Sequence, residues 1–175
     1  MLLHQGLGLE TFNAMPFQKA VHALYECCNC VTLAGDLARG RPYADREALY
    51  RRADDLLFAL PEETVDTILE AYPDIGRRPG SVRSRHEPCA VRDDRSETMA
   101  ELHDTARRYR ERFGSPFVMY VDGADADAVL ATVAGRLHND YETERKVIRN
   151  ELAKINRTRL ERMLGPDGGY DNWGG

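Results

Sequence analysis

The sequence lacks the features that define several large classes of protein. No apolar run approaches the roughly 20 residues of a membrane-spanning helix, so we expect no membrane association. The formal net charge is −5 at pH 7, whereas a nucleic-acid-binding domain is usually basic, so we expect no nucleic-acid partner. Residues 1–5 lack the basic region and long apolar stretch of a signal peptide, which predicts a cytoplasmic protein.

Motifs for common cofactors and catalytic metals are also missing. The chain has no P-loop and no GxGxxG, HExxH or GxSxG motif. Cys27 and Cys30 have the spacing of half a zinc site, but no second pair follows. We therefore expect reduced, structural or incidental cysteines, and neither a metal nor a cofactor.

Apolar residues recur at helical spacing almost throughout the chain. The 175 residues suffice for one domain with a sizeable core, and 42% of them are apolar. The pattern predicts an all-α, single-domain helical bundle over residues 1–164 and a disordered, glycine-rich tail over residues 165–175. Four positions on one predicted helical face are Val21, Leu24, Tyr25 and Cys28.

Capping residues predict where several helices begin. Asp45, Asp140 and either Asp125 or Asp127 directly precede helical patterns, and aspartate is a preferred N-cap. The apolar run 117–121 is instead rich in β-prone residues. It predicts an isolated strand or a buried extended segment.

Five short motifs follow one another along the chain. They are Arg41-Pro42-Tyr43, Tyr72-Pro73-Asp74-Ile75-Gly76, Ser84-Arg85-His86-Glu87, Phe113-Gly114-Ser115-Pro116-Phe117-Val118, and Lys154-Ile155 with Arg159-Leu160. In order and spacing this set resembles the OHCU decarboxylases of purine breakdown, where OHCU is 2-oxo-4-hydroxy-4-carboxy-5-ureidoimidazoline. The resemblance covers about residues 9–164. It implies that family's helical fold, a cofactor-independent decarboxylation of a small anionic heterocycle to (S)-allantoin, and a homodimer.

Arg159 is the candidate site residue that helical periodicity also supports. At about 100° per residue it falls within the apolar stripe of the last predicted helix, which includes Leu152 and Ile155. An arginine facing a core needs a carboxylate, a ligand or a route to solvent. The alternative is an arginine that snorkels near a helix end. By resemblance, Arg159 would hold the anionic substrate in the active site.

Two positions depart from the pattern of the resembled family. Tyr72 stands where that family has a catalytic histidine, and Pro88 replaces a glutamine after the matched catalytic glutamate, Glu87. Histidine exchanges protons near neutrality, whereas tyrosine, with a reference pKa of about 10, is a poor base that can still donate a hydrogen bond. His86 is a candidate substitute base. The alternative for His86 is an exposed loop histidine.

The resemblance also implies which residues surround the substrate. The predicted substrate-binding residues are Pro73, Ser84, Phe117, Val118 and Met119. Core packing is the alternative for Phe117 and Val118. Arg136 and Asn139 fit a further pattern of the family, and we assign them to structure or to a dimer interface. The helical histidines have no evident partner in the sequence, and we predict surface or structural roles for His22, His103 and His138.

Three functions fit these residues. The first is a decarboxylase that acts on OHCU or a close analogue. The second is an enzyme of specialised metabolism that uses the same scaffold for a different reaction, which the loss of the histidine and the glutamine favours. The third is a non-catalytic homologue that binds a small molecule.

Overall fold

The computed structural model describes residues 4–73, residue 75 and residues 95–166. The secondary structure in these ranges consists of eight α-helices without a strand, which confirms the all-α prediction. None of these helices is long and apolar enough to cross a membrane. In chain order the helices are α1 (Leu9–Ala14), α2 (Phe17–Cys28), α3 (Val31–Arg39), α4 (Arg46–Phe58), α5 (Glu62–Glu70), α6 (Ser96–Phe113), α7 (Ala126–Arg136) and α8 (Tyr141–Leu164).

The described residues group into two compact units. The central unit lies within residues 65–152, and the terminal unit combines residues up to 64 with residues from 153 onward. The boundaries fall inside α5 and α8. The single domain over residues 1–164 stays a prediction. The disordered tail over residues 165–175 also stays a prediction, since residues 167–175 lie outside the described ranges.

Two helices of the terminal unit begin after different kinds of capping residue. The side chain of Asp45 accepts a hydrogen bond from the Ala48 N–H at 2.7 Å, which confirms its predicted role as the cap of α4. In contrast, α3 follows Cys30, whose sulfur accepts a hydrogen bond from the Leu33 N–H at 3.5 Å. Neither α1 nor α3 was predicted, because both are short and neither begins with a Ser, Thr, Asp or Asn cap.

The Arg41–Tyr43 corner joins the ends of α1 and α3. Nη1 of Arg41 donates to the carbonyls of Phe12 at 2.8 Å and Met15 at 2.7 Å. The Asn13 side chain exchanges two hydrogen bonds of 2.9 Å with the backbone of Tyr43. The corner therefore satisfies backbone groups that the helix ends leave open, which is a structural role.

The N-terminal segment, residues 4–8, covers the end of α8. The N–H groups of Gly6, Leu7 and Gly8 donate to the carbonyls of residues 162–164 at 3.1, 2.9 and 2.7 Å, respectively. Gly165 follows with a φ of 76°, and a Cβ there would lie 2.6 Å from the Cα of Gly6. This close approach and the left-handed backbone both require glycine.

The central unit packs α6 and α7 around an apolar core. Asp125 caps α7 through the Ala128 N–H at 2.8 Å, which selects it over Asp127. Asp140 accepts the Thr143 N–H at 2.7 Å where α8 begins, as predicted. The buried residues of this core are Ile75, Leu102, Ala106, Tyr109, Phe113, Phe117, Val121, Ala126, Val129 and Val133.

The run 117–121 is a buried extended segment and not a strand. Phe117, Val118 and Val121 are buried, whereas Met119 and Tyr120 are partly exposed. The β-prone composition therefore reflects an extended backbone packed on the core, without pairing to another described strand.

Candidate functional site

Arg159 is buried in the terminal unit. Its side chain is on the inner face of α8, 6% exposed, and Ile155 one turn earlier is fully buried, as the periodicity predicts. Its Nη1 donates to the carbonyl oxygen of Cys27 at 3.2 Å. That carbonyl is one of the last four of α2, which lack partners within the helix and carry partial negative charge. The end of α2 therefore orients the guanidinium.

Burial keeps the Cys28 thiol near Arg159 neutral. Cys27, Cys28 and Cys30 are buried and free. Burial raises the pKa of Cys28 to about 12, and this outweighs the lowering by its hydrogen bond to Cys30 and by the charge of Arg159. At neutral pH the thiol of Cys28 therefore contributes no negative charge beside the guanidinium. None of the three described cysteines forms a disulfide, and their reduced, structural or incidental character stays a prediction.

Native Cys28 is expected to resist alkylation. The thiolate is the reactive form, so raising the pKa from 9.0 to about 12 lowers the reactive fraction about 10³-fold. Iodoacetamide labelling at mildly alkaline pH, followed by mass spectrometry of the peptides, measures the rate. The urea-unfolded chain provides the control, because Cys28 should label there as an ordinary cysteine. Equal rates in the native and unfolded chain would contradict the burial.

Tyr72 is buried at the end of α5 in the central unit. The tyrosine is 6% exposed, and its N–H donates to the Leu69 carbonyl at 3.0 Å. Pro73 is exposed, whereas Ile75 returns to the apolar core. The chain therefore directs the aromatic side chain of Tyr72 inward and leaves the proline on the surface, so substrate binding by Pro73 stays a prediction.

Two long-range hydrogen bonds hold the extended segment that carries Phe117, Val118 and Met119. The carbonyl of Val118 accepts from Nη1 of Arg136 at 2.8 Å. The N–H of Tyr120 donates to Oε2 of Glu151 at 2.7 Å. Because both partners come from helices of the same unit, the backbone of the segment is fixed before any ligand binds. Phe117 and Val118 belong to the core, and their roles toward a substrate stay predictions.

A buried polar network extends from Arg136. Glu144 is fully buried, and its Oε1 accepts from the Tyr109 hydroxyl at 2.5 Å and from Nε of Arg136 at 2.7 Å. Its Oε2 accepts from the Asn139 side chain at 2.9 Å. Burial and the hydrogen bond to Glu144 raise the pKa of Tyr109. Arg136 and Asn139 therefore have structural roles, as predicted, and their part in a dimer interface stays a prediction.

The described parts of the chain do not bring the predicted site residues together in one site. Ser84, His86 and Glu87 lie outside the described residues, and so does Pro88. Tyr72 and the segment 117–119 belong to the central unit, whereas Arg159 belongs to the terminal unit. The roles of these residues in a common site therefore stay predictions.

A groove of about 910 Å³ with mixed polar and apolar lining lies in the terminal unit. Arg157 forms ion pairs there with Glu47 at 2.7 Å and Glu161 at 3.1 Å. The predicted site residues do not line it among the described parts of the chain. The lining residues are 7–11, 44–47, Tyr50, Arg157 and Glu161.

His22 lies on the surface, as predicted, and it has two polar neighbours. Its Nε2 lies 3.9 Å from Oε1 of Glu26, and the rings of His22 and His4 are 5.4 Å apart. The i,i+4 spacing of His22 and Glu26 was a signal in the sequence. His4 could not be identified in this way, because it reaches α2 from outside any predicted helix.

The sequence matches the profile of the OHCU decarboxylase family over residues 13–161. It is 27% identical to the 2-oxo-4-hydroxy-4-carboxy-5-ureidoimidazoline decarboxylase of Amia calva over 168 residues, which cover 90% of this chain and 95% of the relative. Identity to the enzyme of the same name from Haloferax volcanii is 30% over 165 residues, covering 88% of this chain and 94% of the relative.

Two solved structures share the fold. The crystal structure of an (S)-allantoin synthase superposes with a TM-score of 0.73 at 17% identity, covering 90% of this chain and 54% of that chain. An OHCU decarboxylase crystallised in the presence of (S)-allantoin gives a TM-score of 0.68 at 21% identity, covering 80% of this chain and 95% of that chain. These likenesses support the fold.

Proposed function

Because the chain belongs to the OHCU decarboxylase family, we propose that it is a cofactor-independent carboxy-lyase. Its substrate is OHCU or a related small heterocyclic carboxylate, and OHCU would yield (S)-allantoin and carbon dioxide. The structural observation that carries this proposal is Arg159, a buried guanidinium oriented by the Cys27 carbonyl on a helix within the matched region.

Arg159 would bind an anionic or carbonyl oxygen of the substrate. A guanidinium presents five donors in a plane and forms charge-assisted hydrogen bonds to carboxylates. Burial strengthens such bonds, because the surrounding dielectric constant is lower than that of water. The bond to the Cys27 carbonyl leaves the plane of the guanidinium in a defined orientation before the substrate arrives.

The reaction itself needs orientation and one proton. Loss of carbon dioxide leaves an electron pair on the ring carbon, which the adjacent carbon–nitrogen double bond and the ring carbonyl delocalise. The carboxylate must leave perpendicular to the ring plane, and a proton must then arrive on one face to give a single enantiomer. The protein therefore stabilises the developing charge and controls the side of protonation.

The other predicted residues complete this proposal. Tyr72 would donate a hydrogen bond from its hydroxyl to an oxygen of the substrate in place of the family's histidine. Glu87 would orient the polar groups, and His86 would help with proton transfer. The substrate pocket would include Pro73, Ser84, Phe117, Val118 and Met119. We also propose a cytoplasmic location and a homodimer, which follow from the resemblance and from the sequence.

A second function is favoured by the residue at position 72. A tyrosine replaces a group that would titrate near neutrality, and Pro88 removes both a side-chain amide and a backbone N–H. A scaffold altered in this way suits a different reaction on a related heterocyclic carboxylate, as in specialised metabolism. The two functions predict different responses when a histidine is restored at position 72.

The experiment generates OHCU freshly from urate with the two upstream enzymes and follows (S)-allantoin by circular dichroism. We expect the wild type to accelerate the signal, and Tyr72→Phe to lower kcat by about 10²-fold, because one donor to the transition state is lost. Tyr25→His is the matched control for Tyr72→His, since Tyr25 is 42% exposed on α2.

The outcomes separate the candidates. Acceleration by the wild type supports decarboxylation of OHCU. If the wild type and Tyr25→His form no (S)-allantoin but Tyr72→His does, the result supports a re-purposed pocket. If neither the wild type nor any variant accelerates the signal, the decarboxylase proposal is contradicted, and a different reaction and a binding role are the remaining candidates.

A further inference from the structure

Three side chains that can bind a metal converge beside α2 in the terminal unit. They are His4, which precedes α1, and His22 and Glu26, which lie one turn apart on α2. One ligand atom from each lies within 4.8 Å of the other two. None of the three has a role in the proposed reaction, so the cluster is independent of that proposal.

The spacing between these atoms suits one small cation. Nδ1 of His4 lies 3.3 Å from Oε2 of Glu26, and Nε2 of His22 lies 3.9 Å from Oε1 of the same carboxylate. Two ligands at tetrahedral positions around zinc are about 3.3–3.5 Å apart, given metal–ligand distances of about 2.0–2.2 Å. One ligand pair already has this separation. The exposed His22 would complete the set by a rotation of its side chain that brings Nε2 closer to the other two ligand atoms.

The burial of the three ligands is graded. The Glu26 side chain is 13% exposed, that of His4 is 25% exposed and that of His22 is 60% exposed. A shielded carboxylate favours a cation more strongly than a solvated one, because water screens it less. The exposed side of His22 leaves access for the ion and for a water molecule as a fourth ligand.

We propose that His4, His22 and Glu26 bind a zinc-type divalent cation. Two imidazole nitrogens and one carboxylate oxygen are a donor set that suits zinc, whereas magnesium and calcium prefer oxygen donors throughout. The ion takes the place of any proton shared between His4 and Glu26, so both imidazoles are neutral ligands in the bound state. The buried thiol of Cys28 does not compete well for the ion, since burial raises its pKa to about 12.

The position of the site indicates a structural effect. His4 begins the N-terminal segment, whose N–H groups at Gly6, Leu7 and Gly8 donate to the last carbonyls of α8. A metal bound between His4 and α2 therefore fastens this segment to the terminal unit. Because the ion binds the folded arrangement, it raises the melting temperature as its concentration rises.

The test uses the full chain after treatment with a chelator. Zinc titration by calorimetry, thermal unfolding with and without zinc, and the visible spectrum with cobalt(II) report affinity, stability and geometry. We expect one equivalent of zinc, an increase in the melting temperature, and the intense absorption of a tetrahedral cobalt site without a thiolate charge-transfer band. His4→Ala and His22→Ala should each weaken zinc binding at least about tenfold, the lower bound for losing even an outer-shell group.

His103→Ala and His138→Ala are the matched controls, because both histidines are exposed and lie outside the cluster. They should bind zinc as the wild type does. His22 is itself 60% exposed, so His22→Ala should fold normally, which circular dichroism without metal verifies. Zinc binding that is absent, unchanged in both ligand variants, or equally weakened in the controls overturns the site. A thiolate band with cobalt assigns binding to cysteine and also overturns it.

Discussion

Arg159→Lys is expected to lower kcat/KM for OHCU by about 10²–10³-fold, provided that the wild type decarboxylates it. Lysine keeps the positive charge but loses the planar array of donors. The Cys27 carbonyl orients the buried guanidinium at 3.2 Å. A shorter, flexible ammonium group cannot bind this carbonyl and the substrate in the same geometry. Steady-state kinetics by circular dichroism measure the change.

The matched control is Arg162→Lys, because Arg162 is exposed on the same helix. This variant should keep its activity within about twofold, as surface substitutions usually have small effects. Thermal unfolding of both variants separates a loss of activity from a loss of folded protein. If Arg159→Lys retains wild-type kcat/KM, Arg159 does not bind the substrate.

Glu144→Ala is expected to lower the free energy of unfolding by about 3–5 kcal/mol. The change removes the acceptor shared by Tyr109, Arg136 and Asn139, and it leaves the guanidinium of Arg136 buried without its carboxylate. That loss is a large fraction of the roughly 5–15 kcal/mol that stabilises a typical domain. Urea unfolding followed by circular dichroism measures it.

Glu142→Ala is the control for this change. Glu142 lies on the same helix, but its side chain is 85% exposed and pairs only at the surface with Lys146 at 3.3 Å. Its loss should cost at most about 0.5 kcal/mol. The double variant Arg136→Met with Glu144→Leu should recover much of the stability, because neither buried charge remains. A cost below about 1 kcal/mol for Glu144→Ala would contradict the importance of the network.

The starts of several helices could be predicted because their signals are local. Asp45, Asp125 and Asp140 each accept a hydrogen bond from an N–H three residues further along the chain. Such a bond depends only on neighbouring residues. Helices α1 and α3 were not predicted, because packing of their buried faces stabilises them and neither begins with a Ser, Thr, Asp or Asn cap.

The inward direction of Arg159 was also predictable, but its partner was not. Once a segment is helical, its periodicity alone fixes the face on which each side chain lies. The Cys27 carbonyl is 132 positions away in the sequence, and no pattern relates the two. The same applies to the segment 117–121, where composition indicated an extended backbone and only the structure showed that Arg136 and Glu151 hold it.

Periodicity and ordered motifs are properties of the chain alone, so they sufficed to predict the all-α class, the family and the inward face that carries Arg159. The packing of the helices then determined which groups meet. It brought Arg159 to the end of α2, His4 to Glu26 22 positions away, and Tyr109 to Glu144 35 positions away. Such pairs depend on how the helices pack, since a side chain contacts its partner only after distant segments are in place.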